Sequence, residues 1–229
     1  MSTGYIILCR YNSSRLPGKI LRKVDDKPLV SILMERLAPL GKEHIIIATS
    51  DQPTDDVIAA YCEQNGINVF RGSLDDVAGR FLGAARRFDL DYAVRINGDN
   101  LFADADLIKT IADDAVAGGY DFVSNVPERT YPTGMSVEVV NVDFFEKAYH
   151  AFADKKYNEH VTLFLYDHPD FCTNSQFVKN SEVPGAQGVK MAIDTQEDLD
   201  MATEIVKQLG DRYATAGWKE IVNLKLQLV

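Results

Sequence analysis

Apolar and polar positions along the chain follow two rhythms. Short, continuous apolar runs read as strands buried on both faces: Gly4 to Cys9, His44 to Thr49, Ile67 to Phe70 and Asp91 to Ile96. Between them, apolar residues recur at helical spacing. Pro28 opens the first such stretch at a position helices tolerate, with Leu29, Ile32, Leu33 and Leu37 on one stripe. Pro53 to Gln64 is the second, stopped near Gly66. Asp75 to Phe88 is the third, and Asp104 to Val116, ending at Gly118-Gly119, the fourth. Strands alternating with helices predict a mostly parallel sheet covered by helices.

The rhythm changes after about Asp121. Tyr131 to Phe177 holds a Pro/Gly turn, short strands and helical pieces without regular alternation. Val189, Met191 and Ile193 then alternate as a strand. Thr195 follows as a helix cap, and Leu199, Ala202, Val206 and Leu209 form an apolar stripe. No repeat, low-complexity segment or clear linker divides the chain. The pattern predicts one domain over residues 1–229, with an arm projecting from its second half.

Composition adds bounds. With 229 residues, 46% hydrophobic and 25% charged, the chain suits one sizeable α/β domain. Its formal net charge of −10 disfavours nucleic acid and acidic membranes as partners, unless a basic patch forms locally. Cys9, Cys62 and Cys172 lie far apart and form no CxxC pair, which points to a reduced compartment. The apolar run from Tyr5 to Cys9 is too short for a signal peptide and ends at Arg10, and no apolar stretch reaches membrane-spanning length. A cytoplasmic location is expected.

Such a basic patch follows the first strand. Residues 10–27 hold Arg10, Arg15, Lys19, Arg22, Lys23 and Lys27, opposed only by Asp25 and Asp26. The carboxyl end of a first parallel strand is where α/β sheets commonly bind phosphate. Ser13, Ser14 and the loop amides could add neutral donors. The alternative is a solvated basic loop. The segment is no Walker A sequence, because Ile20 follows Gly18-Lys19 and Ser13 stands where the upstream glycine belongs; no GxGxxG occurs either.

Two carboxylates are candidates to face that loop. Asp99 ends Arg95-Ile96-Asn97-Gly98-Asp99 after the fourth strand, and Asp194 directly follows Ile193. An Asn-Gly turn and a carboxylate near a helix start would explain each singly. Together they suggest a magnesium site, since Mg²⁺ takes one or two carboxylates and completes its shell with water and phosphate oxygens. On the same rim lies Phe70-Arg71-Gly72-Ser73-Leu74-Asp75-Asp76-Val77, with Arg80 a turn later; Ser73 reads equally as a helix cap or a nucleotide contact. Asp104-Ala105-Asp106 falls at a helix start and is a weak metal signal. His44, His150, His160 and His168 show no zinc spacing, and no GxSxG elbow is present.

Arg10 through Lys19 resembles the Arg-x-x-Ser-x-Arg-Leu-Pro-Gly-Lys signature of the cytidylyltransferases that activate acidic sugars, the Kdo and acylneuraminate enzymes. The similarity is closest to the spore coat polysaccharide biosynthesis group. It extends to Phe70-Arg71-Gly72-Ser73, Arg95 to Asp99, Glu159-His160-Val161-Thr162 and Ile193-Asp194-Thr195, in the expected order. The resemblance implies a Rossmann-like three-layer α/β/α nucleotidyltransferase fold. It implies a homodimer built partly through the second-half arm, within about 127–178. It also implies CTP as donor, Mg²⁺ as cofactor and a sugar acid as acceptor. By position, Arg10, Arg15 and Lys19 would hold the triphosphate, Asp99 and Asp194 the metal, and Ser73 and Asp76 the nucleoside. Arg71 joins them in the substrate site. Thr133 to Glu138 and Glu159 to Thr162 are expected to line the acceptor pocket, with Glu138, Glu159 and His160 the named contacts. One departure stands out: the family's proline two residues after the Gly-Asp is missing from Asn100-Leu101-Phe102-Ala103-Asp104, which predicts a looser loop behind Asp99.

Overall fold

The computed structural model describes residues 1–13 and 15–228. The chain opens with β1 (Thr3–Leu8), a hairpin of β2 (Lys23–Val24) and β3 (Lys27–Pro28), α1 (Leu29–Leu37), β4 (Ile45–Ser50), α2 (Asp56–Gln64), β5 (Asn68–Gly72), α3 (Val77–Arg87), β6 (Tyr92–Asn97) and α4 (Ala105–Gly118). It continues with β7 (Phe122–Ser124), β8 (Glu138–Asn141), α5 (Val142–His150), α6 (Lys156–Glu159), α7 (Leu163–Asp167), β9 (Ser175–Phe177), α8 (Gln196–Leu209) and α9 (Trp218–Leu228). The four predicted strands and four predicted helices of the first half all form, with ends shifted by a few residues.

Seven strands make the central sheet, in the order β5-β4-β1-β6-β8-β7-β9. β5, β4, β1 and β6 run parallel, whereas β8 is antiparallel to both β6 and β7. The side chains of β1 alternate between two cores. Tyr5 and Ile7 join α1, α2, α4, α8 and α9 on one face; Ile6 and Leu8 join α3, α5 and the Tyr157–Leu165 segment on the other. Burial on both faces is why β1 and β4 read as unbroken apolar runs. The result is a three-layer α/β/α fold. No helix among the described residues is long and apolar enough to cross a membrane.

The order also locates the crevice. From β1 the chain moves outward to β4 and β5, then returns to the opposite side of β1 for β6. Ligands of open α/β sheets bind at such a reversal, beyond the carboxyl ends of the strands. The cationic loop leaves from the end of β1.

Within the span 127–178, β8 and β9 are sheet strands, and Phe144, Phe145, Tyr157 and Phe164 pack into the core that Phe81 of α3 shares. Two expectations are corrected. No strand forms over 189–193. There the turn at Thr133 presents one carbonyl instead of a ladder, and the amides of Met191 (2.6 Å) and Ala192 (3.0 Å) both donate to it. The loop behind Asp99 is not loosened by the missing proline. Leu101 and Phe102 are buried, and the Arg36 guanidinium, 3% exposed, donates to the carbonyls of Ala103 (3.2 Å), Phe102 (3.4 Å) and Ala216 (3.2 Å). Burial lowers the Arg36 pKa to about 10, offset in part by Asp104. α9 has no counterpart in the sequence reading; its Trp218 amide donates to Asp104 (2.7 Å), whose other oxygen caps α4 through Leu107 (2.8 Å). Asp104 is thereby committed to structure.

Candidate active site

Tyr11 sets the neck of the cationic loop. Its carbonyl accepts from the amides of Gly18 (2.7 Å) and Ser13 (2.9 Å), and its own amide donates to Asp55 (2.8 Å). Gly18 sits at φ 69°, and a Cβ there would stand 3.1 Å from the Tyr11 ring, so glycine suits both the turn and the close approach. Asp55 is 1% exposed and also accepts from the hydroxyls of Thr49 (2.8 Å) and Ser50 (2.6 Å) and the Ser50 amide (2.9 Å). Burial raises its pKa, but these hydrogen bonds together outweigh burial and hold it below the ordinary value. Asp55 therefore fastens the loop to the end of β4. Sequence reading missed it, because an Asp inside a helix start carries no motif.

Gly18 turns the chain into a short 3-10 helix, Lys19–Leu21, which aims Lys19 across the crevice. Its ammonium lies 2.7 Å from Asp99 Oδ2, 3.0 Å from the Ile193 carbonyl and 3.7 Å from Asp194 Oδ1. Arg15 pairs with the same Asp194 oxygen at 2.8 Å. The Ile193 amide donates to the Asp99 carbonyl (3.0 Å), which joins the two carboxylate-bearing loops. Lys190 approaches Asp194 at 3.4 Å and Asp198 at 2.5 Å, and Asp198 completes the predicted cap at Thr195 by accepting from its amide (3.0 Å). Among the described residues no cluster of three or more His, Cys, Asp or Glu side chains gathers at metal-binding separation.

These groups open on a cleft of about 380 Å³. Arg10, Ser13, Arg15, Lys19, Asp99, Glu159, His160 and Asp194 line it, as do Arg80, Arg95 and Asn97. A second cavity adjoins it, sharing Arg10, Val77 and Glu159 and adding Ser73, Asp76, Lys155 and Asn158. The structure thus brings together most of the residues that the sequence singled out. Ser14 lies outside the described residues.

Other expected contacts take different partners. Arg71 pairs with Asp56 (2.7 Å) and donates to the carbonyls of Ser50 (3.0 Å) and Gln52 (2.9 Å), away from both cavities. Glu138, 2% exposed, is ion-paired with Arg95 opposite it on β6, and accepts from Thr162 (2.6 Å) and Tyr166 (2.7 Å). Burial raises its pKa, yet Arg95 and the two hydroxyls bring the net shift down. Both of its oxygens are engaged, so it ties β8 to β6 and to Thr162 and Tyr166, and it lines neither cavity. Thr133 to Val137 lines neither cavity. Asp76 borders the second cavity, but it caps α3 through Gly79 (2.8 Å) and accepts from Tyr149 (2.6 Å) and Asn158 (2.9 Å). Ser73 accepts from the Asp76 amide (3.1 Å) and does not cap α3 itself.

A cationic loop over the switch point of a three-layer sheet, facing two strand-end carboxylates, is a nucleotidyltransferase site in its architecture. The family model of the cytidylyltransferases matches residues 5–226, and the chain belongs to that family. It is 32% identical to the spore coat polysaccharide biosynthesis protein SpsF of Bacillus subtilis (strain 168), over 91% of this chain and 88% of that one. It is 31% identical to the 3-deoxy-manno-octulosonate cytidylyltransferase of Aeromonas salmonicida, over 51% of this chain and 47% of that one. A cytidylyltransferase structure from Leptospira borgpetersenii superposes with a TM-score of 0.91 at 24% identity, covering 100% of this chain and 95% of that one, and shares its fold.

Proposed function

We propose that this protein transfers the cytidylyl group of CTP to a hydroxyl of an acidic sugar of the 2-keto-3-deoxy type, releasing pyrophosphate, in the synthesis of cell-surface polysaccharide or glycoconjugate. The observation that carries this reading is the meeting of Arg10, Arg15 and Lys19 with Asp99 and Asp194 in one cleft at the end of β1. The activity named for the Aeromonas relative and the pathway named for the Bacillus one support the donor and the acceptor class.

In this reaction the sugar oxygen attacks the α-phosphorus, the bond from that phosphorus to the oxygen bridging to the β-phosphorus breaks with its electron pair leaving on pyrophosphate, and the hydroxyl proton passes to solvent. Little covalent work falls to the protein. Arg10 and Arg15 hold the triphosphate, and Lys19 offsets the charge that grows on it as pyrophosphate departs. His160, exposed at the mouth, borders the acceptor's side of the cleft, and Glu159, also exposed, lies between the cleft and the second cavity.

Magnesium belongs to the same proposal. Asp99 and Asp194 already converge on one cation, the Lys19 ammonium, and their position fits a metal that needs no third carboxylate. Bound there, Mg²⁺ would supply Lewis-acid neutralisation of phosphate charge. Assembly as a homodimer and a cytoplasmic location complete the reading; the free thiols of Cys9, Cys62 and Cys172 fit a reducing compartment.

A donor and acceptor screen tests this directly. Pyrophosphate release should require CTP, magnesium and a sugar acid together. Preferential release from another nucleoside triphosphate, or with a sugar 1-phosphate as acceptor, would reject it.

A further inference from the structure

Arg80 on α3 is 4% exposed, and no carboxylate pairs with it among the described residues. Its Nη1 donates to the carbonyls of Ser73 (2.6 Å) and Leu74 (3.4 Å), and its Nε is buried without any partner. Among the described residues only one other buried side-chain nitrogen or oxygen lacks a partner, the Nε of Arg95, which lines the same cleft. The two arginines differ in their partners: Arg95 is ion-paired with Glu138, whereas no carboxylate among the described residues reaches Arg80 at ion-pair distance. Burial lowers the Arg80 pKa and Arg10 adds to this, against the opposing pull of the Asp55 and Asp76 carboxylates nearby. Even so, a guanidinium stays protonated in such a setting.

A buried charge that no carboxylate pairs directly is costly. Pinning the Ser73 loop does not explain it, since an uncharged donor could bond two carbonyls without that cost. A ligand anion does explain it. Arg80 lines the cleft that holds the cationic loop, and it grips Ser73 and Leu74, which line the adjoining cavity. It therefore stands at the junction of the two.

We propose that Arg80 is a donor-binding residue that receives an oxygen of the nucleotide's α-phosphate. This rests on the reading that the cleft takes a nucleoside triphosphate, with its phosphates over Arg10, Arg15 and Lys19 and its nucleoside toward Ser73. The α-phosphate alone is bonded to the nucleoside, so it must lie where the two cavities meet.

Calorimetric titration with CTP, CMP and pyrophosphate, in magnesium, tests the assignment on Arg80→Met, Arg80→Lys and Arg15→Met. Arg80→Met should weaken CTP and CMP alike, by about ten- to a hundredfold for a lost charge-assisted hydrogen bond, and leave pyrophosphate unchanged. Its Tm should not fall, because a charge that no carboxylate pairs directly leaves the interior. Arg80→Lys keeps the charge and loses the fork, and should recover part of the affinity. Arg15→Met should weaken CTP but not CMP. If both Arg80 variants bind CTP and CMP as wild type does, with a lowered Tm, Arg80 is only a structural pin and the assignment is overturned. Should Arg80→Met fail to fold, Arg80→Lys decides: weaker CTP and CMP support the assignment, and unchanged values overturn it. Wild-type protein that binds none of the three ligands overturns the assignment and the nucleotide reading together. Loss of CTP in Arg15→Met but not in the Arg80 variants overturns the Arg80 role alone.

Discussion

Lys19 and Asp99 stand 80 residues apart in the chain and 2.7 Å apart in space, and the same ammonium reaches Asp194 at 3.7 Å. Three separate loops therefore meet at one lysine. When a triphosphate and a metal occupy the cleft, that lysine can exchange carboxylates for phosphate oxygens without moving its backbone.

Lys19→Met retains most of the side chain's length and removes its charge. The rate should fall on the order of 10²–10³, about 3–4 kcal/mol, by analogy with the loss of one preorganised donor. CTP binding should weaken less, because Arg10 and Arg15 remain. Lys27→Met is the matched control. Lys27 belongs to the same basic island, but its ammonium pairs with Glu35 (2.8 Å) and Tyr213 (2.5 Å) outside the cleft. Its turnover should stay near wild type. Equal, small effects in steady-state kinetics would reduce the island to a solvated loop.

Asp99→Asn and Asp194→Asn each remove a charge with little change of shape. Large losses of rate, with melting temperatures near wild type, are expected, along with a weaker dependence of CTP affinity on magnesium. Wild-type turnover should stop in excess chelator. A variant that melts early yet keeps full specific activity would show that its carboxylate serves structure alone.

Asp55 links loop geometry to acid stability. Its folded carboxyl titrates below the unfolded value of about 3.9, so folding favours the ionised form. That contribution is present above the unfolded pKa and is lost as pH falls through the folded one. Asp55→Asn should cost about 2–4 kcal/mol at pH 7, since it disturbs four hydrogen bonds to a buried carboxylate. The gap to wild type should narrow below about pH 4. Denaturant titration across pH 3–7 checks this range, and a gap independent of pH would exclude the carboxylate's charge as the cause.

Gly98 precedes Asp99 just past the end of β6, beside the end of β1, where its amide donates to the Leu8 carbonyl (2.9 Å). A Cβ at that position would stand 2.7 Å from Cys9 Cβ and 3.2 Å from the Leu8 carbonyl. Gly98→Ala should therefore push the Asp99 loop outward, costing about 1–3 kcal/mol of stability together with activity. Wild-type kinetics in this variant would show that the loop yields without displacing Asp99.

The first half of the fold was legible because β1 and β4 are buried on both faces and their apolar runs are continuous, and β6 breaks its run only at Arg95. The signature loop was legible because its residues are local in sequence. Less could be read where pairing is irregular or distant. Met191 and Ile193 alternate as a strand does, yet a single carbonyl at Thr133 takes the bonds that a ladder would need. Glu138 carries a family position, but its partners Arg95, Thr162 and Tyr166 come from separate elements, and no local pattern announces that both of its oxygens are engaged. Arg80 was noted only as lying a turn after the Phe70–Val77 segment; its burial on α3 and its lack of a paired carboxylate appear only in three dimensions.

The most direct measurement follows a label placed on the α-phosphorus of CTP, in the presence of magnesium and a panel of 2-keto-3-deoxy sugar acids. The label should pass to the sugar product while unlabelled pyrophosphate is released, and both should be lost in Lys19→Met. Label that stays with CTP across the whole panel, or that transfers equally well in Lys19→Met, would contradict cytidylyl transfer at this cleft.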